Sequence, residues 1–135
     1  MPGKATAPKS GKDLEDEVVE LAQKLGLAVR RQVKVGRRLW GQERKIDVIL
    51  TDPTQRKSLG LECKYQGGKG SADEKIPATI ADIAAWPIQG LVVFSGAGFS
   101  PNMRSYLLST GRAVALDDLE AWLRLFFGLP LDQLD

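Results

Sequence analysis

Leu14, Val18, Leu21 and Leu25 recur at helical spacing, and a Ser10-x-x-Asp13 capping pattern stands before them. Gly26 sits where such a helix stops, so the pattern predicts a first helix over about 11–25. The period then shortens to two. Val29, Val33 and Val35 alternate with Arg30, Gln32 and Lys34, which predicts a strand over 28–35. Residues 36–43 read as a turn or irregular loop. A second strand is expected over 45–51, with Ile46, Val48 and Leu50 on one face and Asp47 on the other. Asp52-Pro53-Thr54-Gln55 is a turn signal, and a third strand follows over 58–65. The three strands are close enough in sequence to form an antiparallel meander.

The second half alternates helix and strand. Ile76, Ile80, Ile83 and Ala84 mark a helix over 73–86, whose start falls at Ser71 or just before Pro77. The apolar run 91–94 reads as a buried strand. Ser95-Gly96-Ala97-Gly98 forms a tight loop, and Gly96-x-Gly98 lacks the third glycine of a nucleotide-binding fingerprint. A helix over 101–109, a short strand over 113–116 and an acid-started amphipathic helix over 117–127 complete the order. Such alternation implies parallel crossovers, hence an α/β fold with a mixed sheet and helices on both faces. Trp122, Phe126 and Phe127 are expected in the core or at a dimer surface.

With 135 residues, 43% hydrophobic, the chain suits one domain, 10–135, behind a Pro-, Lys- and Ala-rich basic tail, 1–9, expected to be disordered. No apolar run reaches the roughly 20 residues of a membrane span, and the first residues lack a signal-peptide core. A soluble, cytoplasmic protein without membrane contact is the expectation. The single Cys63 excludes an internal disulfide. The chain has no histidine, which excludes Ser-His and Cys-His nucleophilic mechanisms and the usual Cys/His zinc site. Oxygen ligands would have to hold any metal, which favours Mg²⁺ or Mn²⁺.

Net charge is only +2, but its distribution is uneven. Arg30, Arg31, Lys34, Arg37, Arg38, Arg44 and Lys45 crowd one segment, whereas Asp117, Asp118, Glu120, Asp132 and Asp135 crowd the end. A basic stripe of this kind is the footprint of a phosphate-backbone partner. Gln66, Lys69 and Lys75 are further candidate DNA contacts.

The chemistry centres on Asp47 and Glu62-Cys63-Lys64. Strand alternation points Glu62, Lys64, Gly60 and Gln66 one way and Leu59, Leu61, Cys63 and Tyr65 the other. If the second and third strands pair, Asp47 and Glu62 meet, and Gly60 leaves room beside them. Two carboxylates about 4 Å apart repel by about 4 kcal/mol at an effective dielectric near 20, so a cation between them is favoured. A Mg²⁺ on Asp47, Glu62 and the Cys63 carbonyl would polarise a phosphate. Lys64 would orient or deprotonate the attacking water.

Asp47, a gap and then Glu62-x-Lys64 resemble the motif of the PD-(D/E)XK nuclease superfamily, with Ile46 in place of the proline. The resemblance spans about residues 10–95 and implies a restriction-endonuclease-like core in α-βββ-α-β order. It also implies a metal-binding glutamate on the first helix about three turns before its closing glycine. Glu15 takes that role, with Glu17 as its rival. The activity expected is a Mg²⁺-dependent endonuclease acting on DNA in repair, recombination or restriction. A homodimer is the simplest source of two active sites. A non-catalytic DNA-binding or interaction module on the same fold is the alternative.

Overall fold

The computed structural model describes residues 8–37, 41–68 and 72–131 (for 72–74, the backbone alone). Residues 1–7 of the expected tail lie outside them. The chain runs α1 (Gly11–Lys24), β1 (Ala28–Arg37), β2 (Glu43–Asp52), β3 (Lys57–Tyr65), α2 (Ala72–Ala84), β4 (Gly90–Ser95), α3 (Pro101–Ser109), β5 (Ala113–Ala115) and α4 (Leu119–Phe127). The Ser10 hydroxyl accepts the Asp13 N–H at 3.0 Å and starts α1. The second helix begins at Ala72 and carries Pro77 inside it. A 3-10 turn, Leu116–Asp118, holds the residues expected to open the last helix, which therefore starts at Leu119.

The five strands form one sheet in the order β1-β2-β3-β4-β5. The first three pair antiparallel, and β3–β4 and β4–β5 pair parallel. Each parallel pair is bridged by a helix, α2 and then α3, as a crossover requires. Two apolar layers result. Leu14, Val18 and Ala22 of α1 and Leu119, Leu123 and Phe127 of α4 pack on Val48, Leu50, Leu59, Leu61, Leu91 and Val93. On the other face Ile76 and Ile83 of α2 and Leu107 of α3 pack on Ile46, Val92 and Phe94. Phe127 is fully buried, while Trp122 and Phe126 stack at the edge of the first layer with ring centres 5.2 Å apart.

Strand alternation holds along β3 but breaks in β1 and β2. Val48 and Leu50 belong to the α1 layer, yet Ile46, also fully buried, belongs to the α2 layer. The expectation that these three share a face is therefore corrected. The same change occurs in β1, where Val29 packs on the first layer and Val35 on the second. Between them Gln32 adopts φ +53°, a left-handed conformation that reverses the side-chain alternation. The neighbouring rungs Arg31–Val48 and Val33–Ile46 put Gln32 opposite Asp47, so both strands change face at one rung.

Gly60 does not leave space for the carboxylates, as expected, but for an indole. A Cβ there would lie 2.8 Å from Trp86 Cζ3 and 3.1 Å from Ile88 Cδ1. Its rung partner Gly90 faces the same ring, and Trp86 is thereby sunk to 7% exposure. Trp86 Nε1 donates to Asp82 at 3.3 Å, so the indole fixes the end of α2 over β3. Replacing Gly60 with Val is expected to lower stability by about 1–3 kcal/mol. Urea unfolding should show this as a lower midpoint at unchanged slope.

Candidate active site

The β2–β3 ladder runs from Asp52–Lys57 to Val48–Leu61 and stops there. One residue further, the Asp47 carboxylate takes over. Its Oδ2 accepts the Cys63 backbone N–H at 3.0 Å. A side chain thus replaces the neighbouring strand as acceptor, and Asp47 is seated against Glu62-Cys63-Lys64. The pairing of β2 and β3 on which the expected meeting of Asp47 and Glu62 depends is present, and the bond seen is to the Cys63 backbone.

Across β1, Gln32 Nε2 donates to Asp47 Oδ1 at 3.4 Å and to Glu15 Oε1 at 3.0 Å. Arg31 Nε donates to the other oxygen of Glu15 at 2.7 Å, and its Nη2 donates to Asp16 at 2.7 Å. The reversed backbone at Gln32 lets two consecutive side chains, Arg31 and Gln32, both reach α1. Glu15 is in this way linked to Asp47 through one amide. Arg31 is held in its charged form by Asp16 and then Glu15, and Asp16 is pushed down mainly by Arg31.

The Cys63 thiol packs on the α1 layer. Its pKa is pushed well above the ordinary thiol value, first by burial and then by Asp47, Glu15 and Glu62 in that order. Such a thiol is a poor nucleophile. It also marks the point on which all three carboxylates bear. Glu62 and Lys64 lie on the α2 side, with Lys64 Nζ 3.5 Å from Glu62 Oε2. They line a cleft of about 250 Å³ with Lys75, Thr79, Asp82 and Trp86.

Oxygen donors from Asp47, Glu62 and Glu15 suit a hard divalent cation, and the excess negative charge around Cys63 would be relieved by one. As they stand, no three acidic, His or Cys side chains among the described residues converge tightly enough to hold an ion. Glu15 is drawn instead into its bonds with Arg31 and Gln32.

The basic candidates divide. Arg30, Lys34, Arg37, Lys45 and Lys75 are exposed, although Lys34 pairs with Glu43 at 3.2 Å and Arg37 donates to the Gly41 carbonyl at 2.8 Å. Arg31 serves Glu15 and Asp16 as above. Arg44 is partly buried and donates to Asp82 of α2 at 2.9 Å, tying β2 to that helix. Arg38 and Lys69 lie outside the described residues. Gln66 is only 7% exposed, and its Nε2 donates to the Gly98 carbonyl at 2.9 Å. It anchors the glycine loop rather than facing solvent. Gly96, at φ +113°, approaches it so closely that a Cβ would lie 2.2 Å from the Gln66 carbonyl oxygen. That contact explains the glycines without a bound nucleotide.

Sequence reasoning missed Gln32 as a member of the site. In the alternating pattern it stood among the solvent-facing positions of β1. The one available signal was an uncharged amide within a run of arginines and lysines.

A family model described as a PD-(D/E)XK nuclease superfamily domain matches residues 6–122. Among solved structures, the crystal structure of AF1548, a protein of unknown function, is similar in fold, with a TM-score of 0.50 and 17% identity. That match covers 75% of this chain, and the chain spans 55% of the length of AF1548. No curated protein matches significantly. The match over most of the chain, joined to the Asp47…Glu62-x-Lys64 arrangement, places this chain in the PD-(D/E)XK nuclease superfamily.

Proposed function

We propose that the protein is a metal-dependent endonuclease that hydrolyses phosphodiester bonds in DNA. The observation that supports this reading is the bond from the Cys63 N–H to the Asp47 carboxylate, which brings Asp47 to the backbone between Glu62 and Lys64. Asp47, Glu62, the Cys63 carbonyl and Glu15 would hold Mg²⁺ or Mn²⁺. The cation, when bound, would supply a polarised phosphate and charge neutralisation. Lys64, with Nζ 3.5 Å from Glu62 Oε2, would orient or deprotonate the attacking water. The exposed Arg30, Lys34, Arg37, Lys45 and Lys75 would meet phosphates of the bound strand. Among the described residues no helix is long and apolar enough to cross a membrane. A twofold homodimer would supply the two sites that cutting both strands needs. A non-catalytic DNA-binding module is the second reading. The presence of Asp47, Glu62 and Lys64 together favours the enzyme.

Purified protein with Mg²⁺ or Mn²⁺ is expected to nick or cut at least one of linear, supercoiled, branched or single-stranded DNA. Lys64→Ala and Asp47→Asn should each lower the rate by about 100-fold or more while preserving the circular-dichroism spectrum. Wild-type protein inert on all four substrates defeats the reading. Salt-sensitive binding unchanged by EDTA and by Asp47→Asn favours the module instead.

Asp47 also has a structural duty. Asp47→Ala strips the Cys63 N–H of its acceptor and should cost about 1–3 kcal/mol, whereas Asp47→Asn keeps an acceptor and should cost less. Thermal denaturation of the two variants checks this order. For DNA binding, Arg30→Ala or Lys45→Ala should weaken affinity alike for all sequences. Each should also reduce the slope of log affinity against log salt by about 1, as read by fluorescence anisotropy.

A further inference from the structure

We infer that Gln32 is a placeholder for the cation: its side-chain amide holds Glu15 and Asp47 in position and must leave when a divalent ion enters. The inference rests on the metal-binding reading above and adds to it a residue outside the family's motif.

Three observations meet at one rung. Gln32 is one of two described non-glycine residues with positive φ, at +53°, and it is the one that lies within a strand of the sheet. A non-glycine residue persists there only when its surroundings over-determine it, and such residues cluster at functional sites. Its Nε2 donates at once to Glu15 Oε1, at 3.0 Å, and to Asp47 Oδ1, at 3.4 Å. Finally, the remaining oxygens of these acids are committed elsewhere. Glu15 Oε2 is held by Arg31 and Asp47 Oδ2 by the Cys63 N–H.

The consequence is a competition. The two oxygens not held by Arg31 or by the Cys63 N–H are the two that Gln32 now binds. An amide N–H₂ is the neutral group best able to sit between two carboxylates, since it offers two donors and no negative charge on that side. A cation held at about 2.1 Å by the same oxygens would stand where the amide lies. The amide and the ion therefore exclude one another. Arg31 can stay, because it holds the outer oxygen of Glu15 and Asp16. Gln32 is thus a positioning residue. It keeps two like charges together without an ion and sets the threshold of ion concentration at which the site fills.

The test is calorimetric titration of the full chain with Mn²⁺, without DNA, for wild type, Gln32→Leu and Gln32→Gly. Leu keeps much of the side-chain bulk and removes the donors, and Gly also removes the backbone strain. Both are expected to bind Mn²⁺ roughly tenfold more tightly, because no charge-assisted hydrogen bonds need breaking. In thermal denaturation with EDTA, Gln32→Leu should melt below wild type. Loss of apo stability with gain of ion affinity is a pairing that a merely structural glutamine would not give. A third variant, Gln32→Glu, places a third negative charge at the rung. Its melting temperature should rise on Mn²⁺ addition by more than that of wild type. Unchanged or weaker Mn²⁺ binding by both Gln32→Leu and Gln32→Gly would overturn the placeholder role and make Gln32 a permanent brace. If neither wild type nor the two variants bind Mn²⁺, the metal reading itself fails, and the inference with it; binding by the variants alone supports the placeholder.

Discussion

The site depends on a backbone donor that the sheet leaves unpaired. Beyond Val48–Leu61 the strands β2 and β3 part, and the N–H of Cys63 would lose its acceptor. A buried or half-buried N–H without a partner is costly, and here the Asp47 carboxylate supplies the partner at 3.0 Å. One bond therefore both completes the ladder and fixes a carboxylate against the backbone of Cys63, between Glu62 and Lys64. In the proposed function, the fold and the chemistry would share that carboxylate.

Everything else at the site follows from the same rung. The positive φ of Gln32 opposite Asp47 turns the β1–β2 ribbon, so that apolar residues before and after it serve different faces of the sheet. That turn brings Arg31 and Gln32 together against α1, where they hold Glu15. On the far side, Arg44 and Trp86 both engage Asp82 and fix α2 over Glu62 and Lys64. Asp47, Glu15 and Glu62 all raise the pKa of the part-buried Cys63 thiol, while Arg31 and Gln32 bind Glu15 and Lys64 pairs with Glu62.

Much of this was legible in the amino-acid sequence, for physical reasons. Period-two alternation along β3 separates Glu62 and Lys64 from Leu59, Leu61 and Cys63, and the structure has that separation. Capping at Ser10 and the apolar stripe of α1 define the first helix to within a residue. What could not be read was any break in the period. Ile46 looks identical to Val48 and Leu50 in an alternating pattern, because side-chain hydropathy carries no record of a neighbouring strand's backbone reversal. Arg31 and Arg44 looked like phosphate contacts for a related reason. Their partners, Glu15 and Asp82, are distant in sequence and belong to helices whose docking the pattern does not specify. Gly60 was assigned to the right face but to the wrong neighbour, since the ring that fills the space comes from Trp86 beyond α2.

The proposed chemistry requires a cation at the Asp47 rung. The most direct measurement is a crystal structure of the full chain grown with Mn²⁺, with anomalous data collected at the manganese edge. The expected result is a peak bound by the carboxylates of Asp47, Glu62 and Glu15, with the Gln32 amide withdrawn from Glu15 and Asp47. A map with no manganese at that rung, and with Gln32 still bridging the two acids, would contradict it.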